Sequence, residues 1–161
     1  MLMSNRYDDK KFLCDLTVGK LCRYMRMIGF DTTMASSYNP KEILSLALEE
    51  HRTILTRNSV LAGMKLARDI VLLTDDDPWR QLKCVIKKRN LEIERSNILT
   101  RCLEDNEPLH EIPKEEVKDR VWPYVYQTQE RFTTCPKCNR IYWPATHIEA
   151  MMKKLESVGL I

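Results

Sequence analysis

No apolar run in the chain approaches the roughly 20 residues that a membrane-crossing helix needs, and neither an internal repeat nor a low-complexity stretch is present. The opening "MLMSNRYDDKK" is too polar and too charged for a secretory leader. These absences exclude a helical membrane protein and a repeat array, and they lead to the expectation of a cytoplasmic protein in a reducing compartment with no membrane partner. In such a compartment the six cysteines do not read as a disulfide framework, because thiols there stay free for metal binding, catalysis or core packing. One further absence raises a question. Cys135 and Cys138 form a C-x-x-C in "TTCPKCNRIYWPATH", yet no second C-x-x-C accompanies them.

What is there is one domain's worth of chain. At 161 residues there is room for a full core and a small appendage, and a net charge of +3 with a pI near 8.5 permits nucleic-acid binding without demanding it. From Phe12 to about Ile98, apolar runs ("KFLCD", "RTILTRN", "DIVLLTDDD") alternate with helical patterns ("LCRYMRMIGF", "KEILSLALEEH", "PWRQLKCVIKKR"). That order predicts α/β architecture on a mostly parallel sheet flanked by helices, over residues 1–98. Residues 99–161 are richer in proline, carry many charges without a long periodic pattern, and predict a second module too small for a large core, which usually needs a staple. In the closing "THIEAMMKKLESVGL", Thr146 is the expected helix cap and Gly159 the expected stop.

Each expected strand ends in polar residues: Asp15, then Arg57 and Asn58, then Asp75, Asp76 and Asp77. Parallel sheets bind ligands outside the carboxyl ends of their strands, so these residues should gather on one edge. Asp15 with one or more of the aspartate triplet is a candidate site for Mg²⁺ or Mn²⁺, which takes oxygen ligands and suits phosphodiester hydrolysis. The structural alternative is that Asp15 caps a helix and the triplet is a solvated turn before Pro78. Between these carboxylates, Lys20, Arg23 and Arg26 share one face of a helix whose other face carries Leu21, Met25 and Ile28. Such cations suit RNA phosphates, or simply water.

For Cys135 and Cys138, the nearby partner is Cys102 in "RCLED", where Asp105 stands at the position of a second knuckle cysteine. Cys102, Asp105, Cys135 and Cys138 are therefore a candidate four-ligand zinc site, with His110 and His147 as competitors for the fourth place and a metal-free C-x-x-C as the alternative. Cys14 and Cys22 read as packing residues.

The blocks "FLCDLTVGKLCRYMRMIGFDT", "RTILTRN", "LLTDDDPWRQL" and "PYVYQTQERFTTCPKCNRIYWPATH", in that order, resemble the mut-seven C-terminal RNase domain, a PIN-like nuclease fold carrying a zinc ribbon. The resemblance implies a PIN-like sheet whose acidic residues bind Mg²⁺ or Mn²⁺ to cut RNA, followed by a ribbon holding structural zinc. By position it implies Asp15 as the first acidic ligand, to which the reading of the residues adds Asp75 and Asp76 as candidate second ligands. It implies Lys20, Arg23, Arg26 and Arg57 as RNA contacts, and Gly29, Phe30 and Asp31 as the end of the basic block. Two positions depart from the family's pattern. Asn58 stands where an aspartate is usual, and Asp105 where a cysteine is. The first departure makes Asn58 a neutral ligand or water-orienting group, and it opens the alternative of an RNA-binding or ribosome-associated module with impaired catalysis.

Overall fold

The alternating segments become four parallel strands: β1 (Lys11–Cys14), β2 (Asp31–Met34), β3 (Thr53–Thr56) and β4 (Ile70–Leu72), in the order β2-β1-β3-β4. They come from a computed structural model that describes residues 10–67 and 69–161, apart from the side chain of His147. Side chains alternate across a sheet, and here both faces are apolar. Phe12, Cys14, Leu55 and Val71 face the layer formed by α1 (Gly19–Met27) and α4 (Pro78–Lys88). Leu13, Ile54 and Ile70 face α2 (Pro40–Glu49) and α3 (Ser59–Ala62). The result is the expected α/β sandwich, and no described helix is long and apolar enough to cross a membrane.

Strand β2 has no counterpart in the sequence expectation. "DTTM" lacks an apolar run because it is an edge strand, half of which needs no apolar cover. The side chain of Asn106 takes the place of a further strand, accepting from the Thr32 N–H at 2.9 Å and donating to the Asp31 carboxylate at 2.7 Å.

The turn into β2 explains Gly29. The N–H of Gly29 bonds the Arg26 carbonyl (3.0 Å) and that of Phe30 bonds the Met25 carbonyl (3.0 Å), closing α1 with a Schellman cap. Gly29 sits at φ +99°, and a Cβ there would lie 2.5 Å from the Asn97 carbonyl oxygen. Gly29→Ala therefore combines a left-handed backbone penalty of about 1–2 kcal/mol with a backbone clash. The expected result is a clear fall in thermal midpoint, and an unchanged midpoint would show that this turn readily relaxes.

After Leu99 the chain builds a small antiparallel sheet from β5 (His110–Ile112), β6 (Phe132–Thr134) and β7 (Ile141–Tyr142), with α5 (Pro123–Thr128) between β5 and β6. The terminal helix α6 (Thr146–Ser157) begins one residue earlier than a Thr146 cap would place it: Ala145 is its N-cap and supplies no side-chain bond. It does end at Gly159, at φ +69°. Leu155 of α6 is fully buried in the cluster that includes Phe12 and Met25, while Ile148 packs with Met27 and Leu103. The small sheet thus leans on the α/β sandwich through α6.

Candidate functional site

The chain leaves β1 for β2 on one side and later returns to β3 on the other, so the topological switch point lies between β1 and β3. Asp15 follows β1 at this point and is 4% exposed. Its Oδ1 accepts from the Thr17 N–H at 3.0 Å and from the Thr17 hydroxyl, while its Oδ2 accepts from the Thr56 hydroxyl. Those hydroxyls themselves accept from the turn after β3: Arg57 N–H to Thr17 at 3.1 Å, and Asn58 N–H to Thr56 at 2.8 Å. Two backbone donors are thereby relayed through two threonines onto one carboxylate, and Asp15 stitches the ends of β1 and β3 together. It does not cap α1, whose N-cap is Val18 without a side-chain bond.

An ionised carboxylate offers about four lone-pair positions, and three acceptor bonds leave Asp15 one open. Threonines that brace a carboxylate from behind are what an oriented metal ligand requires, so one coordination bond from Asp15 fits. The side-chain oxygen of Asn58 is engaged otherwise. It caps α3, accepting from Val60 N–H at 3.0 Å and Leu61 N–H at 3.2 Å, which corrects the expectation of an amide oxygen turned to an ion.

At the end of β4, Asp77 caps α4 through the Arg80 N–H (2.9 Å), and Asp75 accepts from the Asp77 N–H (2.9 Å) while lying 3.5 Å from the Arg80 guanidinium. The Asp77 N–H first, and Arg80 second, hold the Asp75 carboxyl below its ordinary value. Asp76 is exposed. Among the described residues, Asp15, Asp75 and Asp76 do not assemble into a group of three ligating side chains.

The basic helix divides. Lys20 and Arg57 are exposed, and Arg23 is exposed but ion-paired with Glu104. Arg26 is 6% exposed, donating to the carbonyls of Thr32 (2.8 Å), Leu103 (2.8 Å) and Glu104 (3.0 Å). The expected phosphate contact is thus an internal tie, because the segment carrying Cys102 folds over that end of α1.

The cysteines converge. Cys102, Asp105, Cys135 and Cys138 place their ligand atoms within 4.8 Å of one another, the one such group among the described residues. Cys102 and Cys138 sulfurs are 3.8 Å apart, and Asp105 Oδ2 lies 3.7 Å from Cys102 and 3.5 Å from Cys135. Zinc–sulfur bonds of about 2.3 Å in a tetrahedron set sulfurs about 3.8 Å apart and a sulfur about 3.5 Å from a carboxylate oxygen. The side chains fit a zinc ion.

The backbone supports Asp105 as the fourth ligand. Cys102 N–H bonds Glu107 O (2.8 Å) and Asn106 N–H bonds Cys102 O (3.0 Å); Cys135 N–H bonds Arg140 O (3.1 Å) and Asn139 N–H bonds Cys135 O (2.9 Å). Asn106 and Asn139 both take positive φ, 65° and 60°. The two turns are the same knuckle built twice, and Asp105 occupies in one the place of Cys138 in the other. His110 is exposed on β5 and outside the cluster; the His147 side chain lies outside the described residues. Without an ion, the hydrogen bond to Asp105 pushes the Cys138 thiol up to about 12. Burial acts to raise Cys102, but the Tyr142 hydroxyl at 3.1 Å and the Asp105 N–H hold it below its ordinary value.

The sequence reading assigned no role to Thr17, Asn106 or Tyr142. A short D-x-T at a strand end signals an Asx turn, which makes Thr17 findable. Nothing local marks Tyr142, whose hydroxyl also accepts from the Leu103 N–H across the module.

Comparison with known proteins adds one finding. No curated protein and no solved structure matches the chain. A family model described as the Mut7-C RNAse domain matches residues 10–155, which suggests a ribonuclease-type function and implies RNA as the substrate class. Because that span runs unbroken from β1, through the Asp15 edge and both knuckles, to Leu155 of α6, the chain belongs to the Mut7-C RNAse domain family.

Proposed function

We propose that the chain hydrolyses RNA phosphodiester bonds at the carboxyl edge of its parallel sheet, using Mg²⁺ or Mn²⁺, with zinc in the cysteine cluster serving structure. The carrying observation is Asp15: a carboxylate at the β1/β3 switch point, braced by two threonines and retaining one open lone pair. Asp15 would hold the ion, with Asp75 and Asp76 reaching it through its waters. When bound, such an ion activates water and stabilises the departing oxygen. Lys20, Arg23 and Arg57 hold phosphates of the strand, and Arg23 trades its Glu104 partner for one.

The test compares wild type with Asp15→Asn on single-stranded and structured RNA, in Mn²⁺, in Mg²⁺ and in EDTA. Cleavage should require the ion and fall at least ~100-fold in Asp15→Asn. Thermal melting separates that loss from unfolding, since Asn adds donors where Asp15 only accepts. A folded Asp15→Asn protein that cuts at the wild-type rate ends this reading.

One observation favours a second reading. With the Asn58 oxygen capping α3 and Asp75 tied into its own turn, the ion has few protein ligands. That suits an RNA-binding or ribosome-associated module retaining the fold with little catalysis.

A further inference from the structure

The two knuckles share their backbone bonds but differ at the second residue, which is Leu103 in the first and Pro136 in the second. Proline has no N–H, whereas Leu103 brings one into a residue only 7% exposed, and a buried backbone donor needs an acceptor. The acceptor comes from the far side of the module: the hydroxyl of Tyr142, on β7, accepts from the Leu103 N–H at 3.2 Å. The same oxygen lies 3.1 Å from Cys102 Sγ, a sulfur that also accepts from the Asp105 N–H at 3.4 Å. Cys102 is fully buried, so its sulfur has no solvent to turn to for a donor. Tyr142 is half-buried, its ring packed with the cluster of Met27, Leu103 and Ile148.

A phenol hydroxyl carries one proton and accepts on its oxygen, and here the oxygen accepts from the Leu103 N–H. A metal-bound cysteine is a thiolate with no proton to give, so in the loaded protein the hydroxyl is the donor between Tyr142 and Cys102. The direction is then fixed along the chain of bonds: Leu103 N–H to the Tyr142 oxygen, and Tyr142 O–H to the Cys102 sulfur. A hydroxyl that accepts one bond donates the next more strongly, and a bond to an ionised acceptor is about twice as strong as one to a neutral acceptor. Three thiolates and one carboxylate bring four negative charges to an ion with two positive ones. Donors on the sulfurs disperse that excess.

We propose that Tyr142 is a positioning residue of the cysteine cluster: its hydroxyl donates to the Cys102 thiolate, aims that sulfur at the ion and reduces the charge it presents. This rests on the zinc reading of the cluster above and adds to it a residue outside the four ligands, since groups that hydrogen-bond a ligand set both its orientation and its strength. The competing role is purely structural, with the hydroxyl serving only as an acceptor for the Leu103 N–H. The two roles differ in what the metal feels.

Cobalt(II) reports on its sulfur ligands through a thiolate-to-metal charge-transfer band, whose energy falls as the sulfur becomes more electron-rich. The experiment loads the full chain with Co²⁺, as wild type and as Tyr142→Phe, which keeps the ring in its packing and removes the hydroxyl. The band of the variant should move to lower energy, and competition with a chelator should show zinc affinity down roughly tenfold. A hydroxyl that only accepts from Leu103 would lower the thermal midpoint and leave the band of the bound cobalt where it was, which overturns the proposal. Site-specific replacement of Tyr142 by a fluorotyrosine covers the case in which Tyr142→Phe leaves the module unfolded. There the hydroxyl stays, its proton is more acidic, and the band should move to higher energy; an unmoved band overturns the proposal equally. Wild type that shows no thiolate-to-cobalt band overturns the zinc reading of the cluster, and the role of Tyr142 with it. A band present in wild type and unmoved by either change overturns the role of Tyr142 alone.

Discussion

Cys135→Ser is expected to weaken metal binding at the cysteine cluster and to melt the small sheet, lowering the thermal midpoint of the chain by about 6–12 °C for a loss of ~3 kcal/mol. The size follows from how little else holds this module. In its sheet only Phe132 is buried, with Val117 and the ligands Cys102 and Cys135 beside it. Binding of structural zinc in small modules contributes about 10–16 kcal/mol, much of which appears as folding free energy. Removing one sulfur from four ligands also leaves Asp105 facing two other sulfurs with no cation between them. A graded series at Asp105 isolates the ligand role. Asp105→Ala should keep three sulfurs and lose affinity by roughly 10–100-fold, whereas Asp105→Cys completes the repeated knuckle and should tighten zinc, a softer ligand being preferred. Zinc content by elemental analysis and competition with a chelator read all three. Wild-type affinity in Asp105→Ala would mean that the duplicated turn shape, and not its carboxylate, is what the site needs.

The layout of the α/β half was legible because its signals are local. Covered strands show as unbroken apolar runs, and "ILT" and "IVLL" sit where β3 and β4 form. The same locality explains what was missed. Strand β2 is defined by partners far away in the chain, Phe12 on one side and the side chain of Asn106 on the other, and "DTTM" carries no sign of either. Arg26 looked like Lys20 and Arg23 because a helical wheel knows only the helix; the segment that buries it arrives almost eighty positions later, at Leu103. The cysteine cluster was readable as a set of residue types, yet the equivalence of Asp105 and Cys138 rests on matching backbone bonds that spacing alone cannot supply. At the sheet edge, the chemical types of Asp15 and Asn58 were visible, but the competition for the Asn58 oxygen was not. A helix cap and a metal ligand call for the same side chains at the same place.

That competition makes Asn58→Asp the most informative change at the edge, and the expected result is gain. Aspartate caps a helix about as well as asparagine, so one oxygen continues to accept from Val60 and Leu61 and α3 survives. The second oxygen replaces an NH₂ that can only donate, adding an acceptor and a negative charge at the turn after β3, whose Asn58 N–H is tied to Asp15 through the Thr56 hydroxyl. Without an ion the two carboxylates repel, so in EDTA the variant should melt below wild type. Mn²⁺ should then raise its midpoint by more than it raises that of wild type, a readout that does not depend on catalysis. Affinity for Mn²⁺ should rise on the order of tenfold, since a further nearby charge of opposite sign strengthens attraction even at an effective dielectric near 20. Cleavage should rise most at low Mn²⁺, where occupancy limits the rate. Three patterns are then distinguishable. If wild type cuts and the variant cuts better at low Mn²⁺ but equally at high, Asn58 has lowered affinity and left the chemistry intact. If wild type is inert at every Mn²⁺ concentration and the variant cuts, the RNA-binding reading is correct for the natural chain. If Mn²⁺ shifts the melting of neither protein, Asp15 is a strand clamp, and the edge at β1 and β3 holds no ion.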